Sequence, residues 1–215
     1  MLVPLIAGCS GNLTDLERSG LKGKVHFVEE HTYKAHYMDG QWGAGVPGRY
    51  GHMMIEYDRD GNYLVGTAMN EQGDTLGSTR CRREGGELVE EAFYTPSGIQ
   101  VGRTMFERIS SEEVQFELWE GDRLRYEGAN FYDRNGRIEK QLGLENDVEV
   151  VNHFEYDRHL MVKNFQEDLR GRRIYTRHYD YTRFDKHGNW TFKLVYTGEE
   201  KIVPELAITR EYTYF

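Results

Sequence analysis

The chain has 215 residues, a formal net charge of −9, 38% hydrophobic and 13% aromatic residues, 15 Tyr, 24 Gly and only 4 Pro. That length allows one domain with a sizeable core or an extended repeat array, and the Tyr and Gly content suits pleated, half-buried strands and tight turns rather than a disordered tail. Lys and Arg are interleaved with Glu and Asp (Arg80, Arg82 and Arg83 run straight into Glu84 and Glu87), which excludes the basic stripe that nucleic acid requires.

The chain opens on a short apolar run, Met1 to Gly8, that ends in small residues and stops at Cys9. Leu5-Ile6-Ala7-Gly8-Cys9 resembles the bacterial lipobox, in which the cysteine thiol is acylated. The resemblance implies a mature chain starting at Cys9 and held by acyl chains. Almost nothing precedes the motif, so residues 1–9 read as a truncated lipoprotein signal and residues 10–20 as a polar tether. Asn12 to Ser19 is the best helical candidate. No other stretch offers the ~18 apolar residues of a membrane-spanning helix.

Between Gly40 and Gly51 lies a glycine-rich run that lacks the Gly-Lys-Ser/Thr ending of a phosphate cradle and reads as a loop. Trp42 inside it is the one large aromatic expected to be partly exposed, and is the candidate ligand contact. From Asp60-Gly61 onward, turn signals recur about every dozen residues: Gln72-Gly73, Gly85-Gly86, Ser97-Gly98, Ser110-Ser111, Gly121-Asp122 and Asn135-Gly136, then Asn146-Asp147, Arg158-His159, Arg170-Gly171, His187-Gly188 and Gly198. This is the spacing of a strand of about eight residues plus its turn. The intervening segments alternate with period two. Val114, Phe116 and Leu118 oppose Gln115 and Glu117; Val150, Phe154 and Tyr156 oppose His153 and Glu155. Trp190, Phe192, Leu194 and Tyr196 oppose Lys193, and Leu206, Ile208, Tyr212 and Tyr214 close the chain. The expected fold is all-β, one antiparallel meander of short hairpins curved or rolled with its aromatic face inward. Whether it closes is left open. Glu211 and Lys24 are expected to guard the terminal edges.

The run Phe131-Tyr132-Asp133-Arg134-Asn135-Gly136-Arg137-Ile138 has looser copies at 57–63 and 184–190, and Tyr156-Asp157 shares its start. The set resembles the YD repeat, also called the RHS repeat. Leu21-Lys22-Gly23-Lys24-Val25 near the start and Gly188-Asn189-Trp190-Thr191 near the end are similar to small Bacteroidetes lipoproteins built from such repeats. The resemblance implies a β-repeat domain over residues 21–215 and an outer-membrane address through the lipid anchor. It brings no catalytic role, and the junction motif of the large RHS toxins is missing.

Few stretches carry the residues of a catalytic or metal site. Asp58-Arg59-Asp60-Gly61-Asn62 places its Gly too early for a calcium loop. His31 and His36 fall on opposite strand faces, and no metal-protease motif or nucleophile elbow occurs. Arg80 and Arg82 point away from the face of Cys81, leaving a lone strand cysteine. No cofactor and no metal are expected. The resulting expectation is a non-catalytic cell-envelope lipoprotein with an interaction surface, whose partners are the membrane, through Cys9, and an envelope protein or glycan. The alternatives are a glycan-acting enzyme and a carrier of lipid or another hydrophobic ligand, each using the concave face.

Overall fold

The computed structural model describes residues 13–145 and 148–215. A four-residue helix, α1 (Asp15–Arg18), precedes β1 (Val25–Met38), β2 (Gln41–Tyr57), β3 (Tyr63–Met69), β4 (Thr75–Glu84), β5 (Glu87–Tyr94), β6 (Gln100–Arg108) and β7 (Glu113–Glu120). These are followed by β8 (Arg123–Tyr132), β9 (Ile138–Glu145), β10 (Val148–Asp157), β11 (Leu160–Asp168), β12 (Arg173–Phe184), β13 (Trp190–Thr197) and β14 (Pro204–Tyr214). Every strand pairs antiparallel with its chain neighbours, as the turn spacing predicts. The sheet also closes: β14 pairs with β1, from Lys34↔Leu206 to Val25↔Tyr214, making a 14-strand barrel. Closure removes both edges, so Glu211 and Lys24 guard nothing. Glu211 lies opposite Glu29 in the β1–β14 ladder, and the Lys24 carbonyl accepts the Phe215 amide.

The repeated motif proves to be one turn used several times. In Asp-x-x-Gly-x, at Asp58, Asp133, Asp168 and Asp185, the Asp amide donates to the carbonyl four residues on, and the Gly amide donates back to the Asp carbonyl. The Asp carboxylate accepts the amides two and four residues on at 2.8–2.9 Å. Glycine is required at the fourth position because φ there is positive, between 71° and 86°. Asn70 builds the same loop with Gly73, and Thr95 a similar one with Gly98. The copies at Asp58, Asp133 and Asp185 all lie at one end of the barrel, because even-to-odd strand turns share that end.

That end is plugged. Thr14 and Glu17 form a capping box that starts α1. The Leu16 amide donates to Gly61 O, the Lys22 amide to Asn189 Oδ1, and Leu13 and Glu17 lie beside Asp133, Arg158 and His159. Residues 13–22 therefore touch turns all round the mouth. They fall mostly within the stretch expected to be a tether. Leu16 reaches the core of Val25, Val28, Ile55, Tyr57 and Tyr63, which identifies the face of Val28 and Ile55 as lumenal.

Register then assigns every wall residue. Val114, Phe116, Leu118, Val150 and Phe154 face inward, as alternation predicts. Gly128, paired with Phe116, leaves room for that ring. The outer face carries Glu29, Arg80, Arg103, Glu117, Glu127, Lys140, His153 and Lys163 at strand centres, several stacked on aromatic rings, as Arg103 on Trp119 and Lys163 on Phe165.

One expectation fails in β13. Phe192, Leu194 and Tyr196 face outward with Ala207, and Lys193 and Val195 face in. The outer aromatic panel is buried all the same, because Tyr33 and Trp42 of the long β1–β2 hairpin pack against it. β13 is covered on both sides, so polarity no longer reports which side is the lumen.

Candidate functional site in the barrel interior and at its two mouths

The lumen is polar. On its β12–β14–β1 wall the Arg210 Nε donates to Glu30 Oε2 at 2.7 Å. Arg210 lies 4.1 Å and Lys193 4.4 Å from the Trp190 ring centroid, and Tyr179 and Tyr181 complete the group. Burial alone would raise the Glu30 pKa, but Arg210 and Lys193 outweigh it and hold the carboxyl below its ordinary value. Burial pulls Lys193 down to about 8, with Glu30 opposing the shift and Arg210 adding to it. Both partners of the ion pair keep only about a sixth of their side-chain surface, 17% for Arg210 and 16% for Glu30, so the pair is largely buried.

Across the opposite wall runs a ladder of amides. Gln141 donates to Asn130 at 2.9 Å, Asn152 to Gln141 at 3.4 Å and Gln166 to Asn152 at 3.0 Å. Tyr179 extends it by donating to Asn164 at 2.7 Å. Three further tyrosines latch β10, β12 and β14 each to the odd strand before it: Tyr156 to Ile138 O, Tyr181 to Met161 O and Tyr212 to Trp190 O, at 2.7–3.0 Å. Each phenol buries its ring and satisfies a carbonyl at the start of a strand.

Under the plug, Asp15 accepts the Tyr63 amide at 2.8 Å and pairs with Arg83. Glu91 is fully buried beside Cys81, whose Sγ lies 4.0 Å from Glu91 Oε1. Burial, with Asp15 adding and Arg83 opposing, raises Glu91 to about 8. Burial likewise pushes the Cys81 thiol up, Glu91 adding to the shift. Arg80 stacks on Tyr94 and Arg82 pairs with Glu90, both outside, so neither activates the thiol. Cys81 is an inert lumenal cysteine. Asp58, the acid of the rejected calcium loop, is occupied by the amides of its own turn. No cluster of three or more His, Cys, Asp or Glu suited to a metal occurs among the described residues.

The two mouths differ. At the far mouth every hairpin carries a large exposed apolar side chain: Met38 (64%), Leu76, Ile99 (64%), Leu124, Val148, Leu169 (64%) and Ile202 (70%). At the plugged mouth the comparable residues are Leu64, Ile109, Phe184 and Phe215. Of the two residues singled out in the sequence, Cys9 lies outside the described residues. Trp42 is half-buried in the β1–β2 hairpin, where it lines a cleft of about 380 Å³ with His36, Asp39, Gln41 and Arg183. The lumenal charges escaped sequence reasoning. Their one signal is Arg210 itself, which interrupts the inward run Leu206, Ile208, Tyr212 and Tyr214.

No family model matches the chain, and no curated protein matches it. Among solved structures it is similar to a porin-like protein from Bacteroides vulgatus, with 15% identity over 88% of this chain and 99% of that one at a TM-score of 0.41. It is also similar to a porin-like protein from Bacteroides uniformis, with 9% identity over 90% and 98% at a TM-score of 0.31. The membership among YD-repeat lipoproteins implied by the sequence is therefore corrected. No family model matches, the sheet closes into a 14-strand barrel rather than an open repeat array, and the shared Tyr-Asp-x-x-Gly pattern is the local chemistry of one hairpin turn.

Proposed function

We propose that this chain is a non-catalytic cell-envelope protein, acylated at Cys9, that engages a partner protein through the apolar rim of its far mouth. The rim carries the proposal. Exposed large apolar side chains concentrated on one surface mark an interaction site, and here each far-mouth hairpin carries one. The wall does not suit a membrane span, since an outer-membrane barrel presents an apolar band to lipid and this one presents Arg80, Glu117, Lys140 and Lys163. Envelope association therefore falls to the acyl anchor. Leu13 is the fourth residue after Cys9, a reach of at most about 14 Å. That tether keeps the plugged mouth beside the membrane and turns the rim away from it. A second copy docked rim to rim would point its own anchor away from that membrane, which leaves a different protein with an apolar face as the partner.

The two rival readings have less support. A lumen lined by Glu30, Lys193, Arg210 and an amide ladder is a poor host for an acyl chain. The nearby carboxyls Asp15, on the plug, and Glu91, beneath it, are both buried, where no glycan reaches them. The test is recovery of envelope proteins by the purified chain. Wild type and Trp42→Ala should recover the same partner, and an Ile99→Ser/Ile202→Ser variant should lose it. Recovery of no protein by wild type, or of the same protein by the rim variant, would contradict the proposal.

A further inference from the structure

The β1–β2 hairpin builds a second site that owes nothing to the rim. Its tip is a two-residue turn, with Asp39 and Gly40 at φ of 53° and 80°. Register irregularities between His31 and Ala35 let the hairpin bend, so that Tyr33 and Trp42 lie over the outer face of β13. Between the hairpin and Arg183 of β12 this leaves the cleft of about 380 Å³. We propose that the cleft binds a sugar residue bearing a carboxylate, as one unit of an acidic glycan.

Three features carry this. Trp42 is braced by the Phe192, Leu194 and Tyr196 cluster behind it and by Tyr37, whose ring centroid lies 5.1 Å away. It offers a rigid aromatic surface on which the apolar face of a sugar ring can lie at little entropic cost. Arg183 is held over the Phe192 ring at 4.9 Å, and among the described residues it has no carboxylate partner. Arg82, Arg108 and Arg173 each have one; Arg80 and Arg103 stand on rings as Arg183 does, but of these three only Arg183 also lines a cleft with an aromatic platform. An aligned guanidinium without a counter-ion is a ready bidentate site for a carboxylate. Asp39 and Gln41 then supply an acceptor and a mixed donor–acceptor for ring hydroxyls. Gly43 has open space where a side chain would stand, so a ligand can approach the backbone. The volume falls in the lower part of the range for ligand clefts and suits a short stretch of saccharide.

The test is titration calorimetry and tryptophan fluorescence with galacturonate oligomers, matched galactose oligomers and acetate as probes. The acidic oligomer should bind and quench fluorescence, and Trp42→Ala should abolish both signals. Arg183→Gln should weaken the acidic oligomer by roughly tenfold or more, toward the neutral one, as expected for losing a charge-assisted pair. The Ile99→Ser/Ile202→Ser variant should bind as wild type does, which separates this site from the rim. Equal binding of neutral and acidic oligomers, binding of acetate alone, no binding at all, or an unchanged Arg183→Gln variant would each overturn it.

Discussion

Glu30 on the first strand and Arg210 on the last face each other in the β1–β14 register and meet at 2.7 Å inside the lumen. The ion pair spans the seam at which the barrel closes. Glu30→Gln would leave Arg210 and Lys193 facing each other without a counter-ion. Breaking a buried pair in this way costs about 3 kcal/mol, readable as a lower urea midpoint at pH 7. The pH dependence has a definite sign. The folded Glu30 pKa lies below its ordinary value of 4.5. Its contribution is therefore present above that value and is lost as pH falls through the lower folded pKa. Wild type and Glu30→Gln should converge in melting temperature on acidification, and parallel curves from neutral to acid pH would refute the assignment.

Glu91 behaves in the opposite sense. Its carboxyl is raised from 4.5 to about 8 by burial, so the folded state holds a proton that the unfolded chain gives up. Stability should fall as pH rises from about 4.5 toward 8. Glu91→Gln keeps the shape without the titration, so its advantage over wild type should grow across that interval. A constant difference between the two melting curves would contradict this.

The turn aspartates make a third case. The Asp133 carboxylate accepts two backbone amides at 2.9 Å and the Arg137 Nε at 2.8 Å. Asp133→Ala strips those acceptors and should cost about 1–3 kcal/mol. Gly136→Ala, at φ of 71°, should cost about 1–2 kcal/mol through left-handed strain. Chemical denaturation reads both, and no change in either would mean that the loop is not held by its aspartate.

Gly128 tests which face is the lumen. A Cβ there would lie within 2.5 Å of the Leu142 carbonyl oxygen and closer still to the Phe116 ring. Gly128→Val should lose about 1–3 kcal/mol or more through overpacking. A neutral effect in thermal unfolding would place Gly128 on an open surface.

The hairpin spacing was legible because turn chemistry is local: Asp-x-x-Gly-x writes its own hydrogen bonds. The faces of β7 and β10 were legible because one side of each is apolar and the other is wet. β13 misled because Trp42 and Tyr33, far away in sequence, bury its outer aromatic panel. The lumenal set of Glu30, Lys193 and Arg210 stayed hidden because alternation reads any charged residue as solvent-facing, and only closure brings the three onto one wall. Closure itself depends on matching residue 30 with residue 210, a pairing that no local pattern encodes. The likeness to YD repeats came from the same source as the success with turns, since a recurring turn imitates a recurring family motif.

Amide hydrogen exchange across the β1–β14 seam tests the closed barrel most directly. In a closed barrel, Val28 to His31 and Leu206 to Thr209 are paired with strands on both sides, so all their amides should exchange as slowly as those of β7 and β8. Fast exchange at alternate amides of both segments, the signature of two free edges, would contradict it.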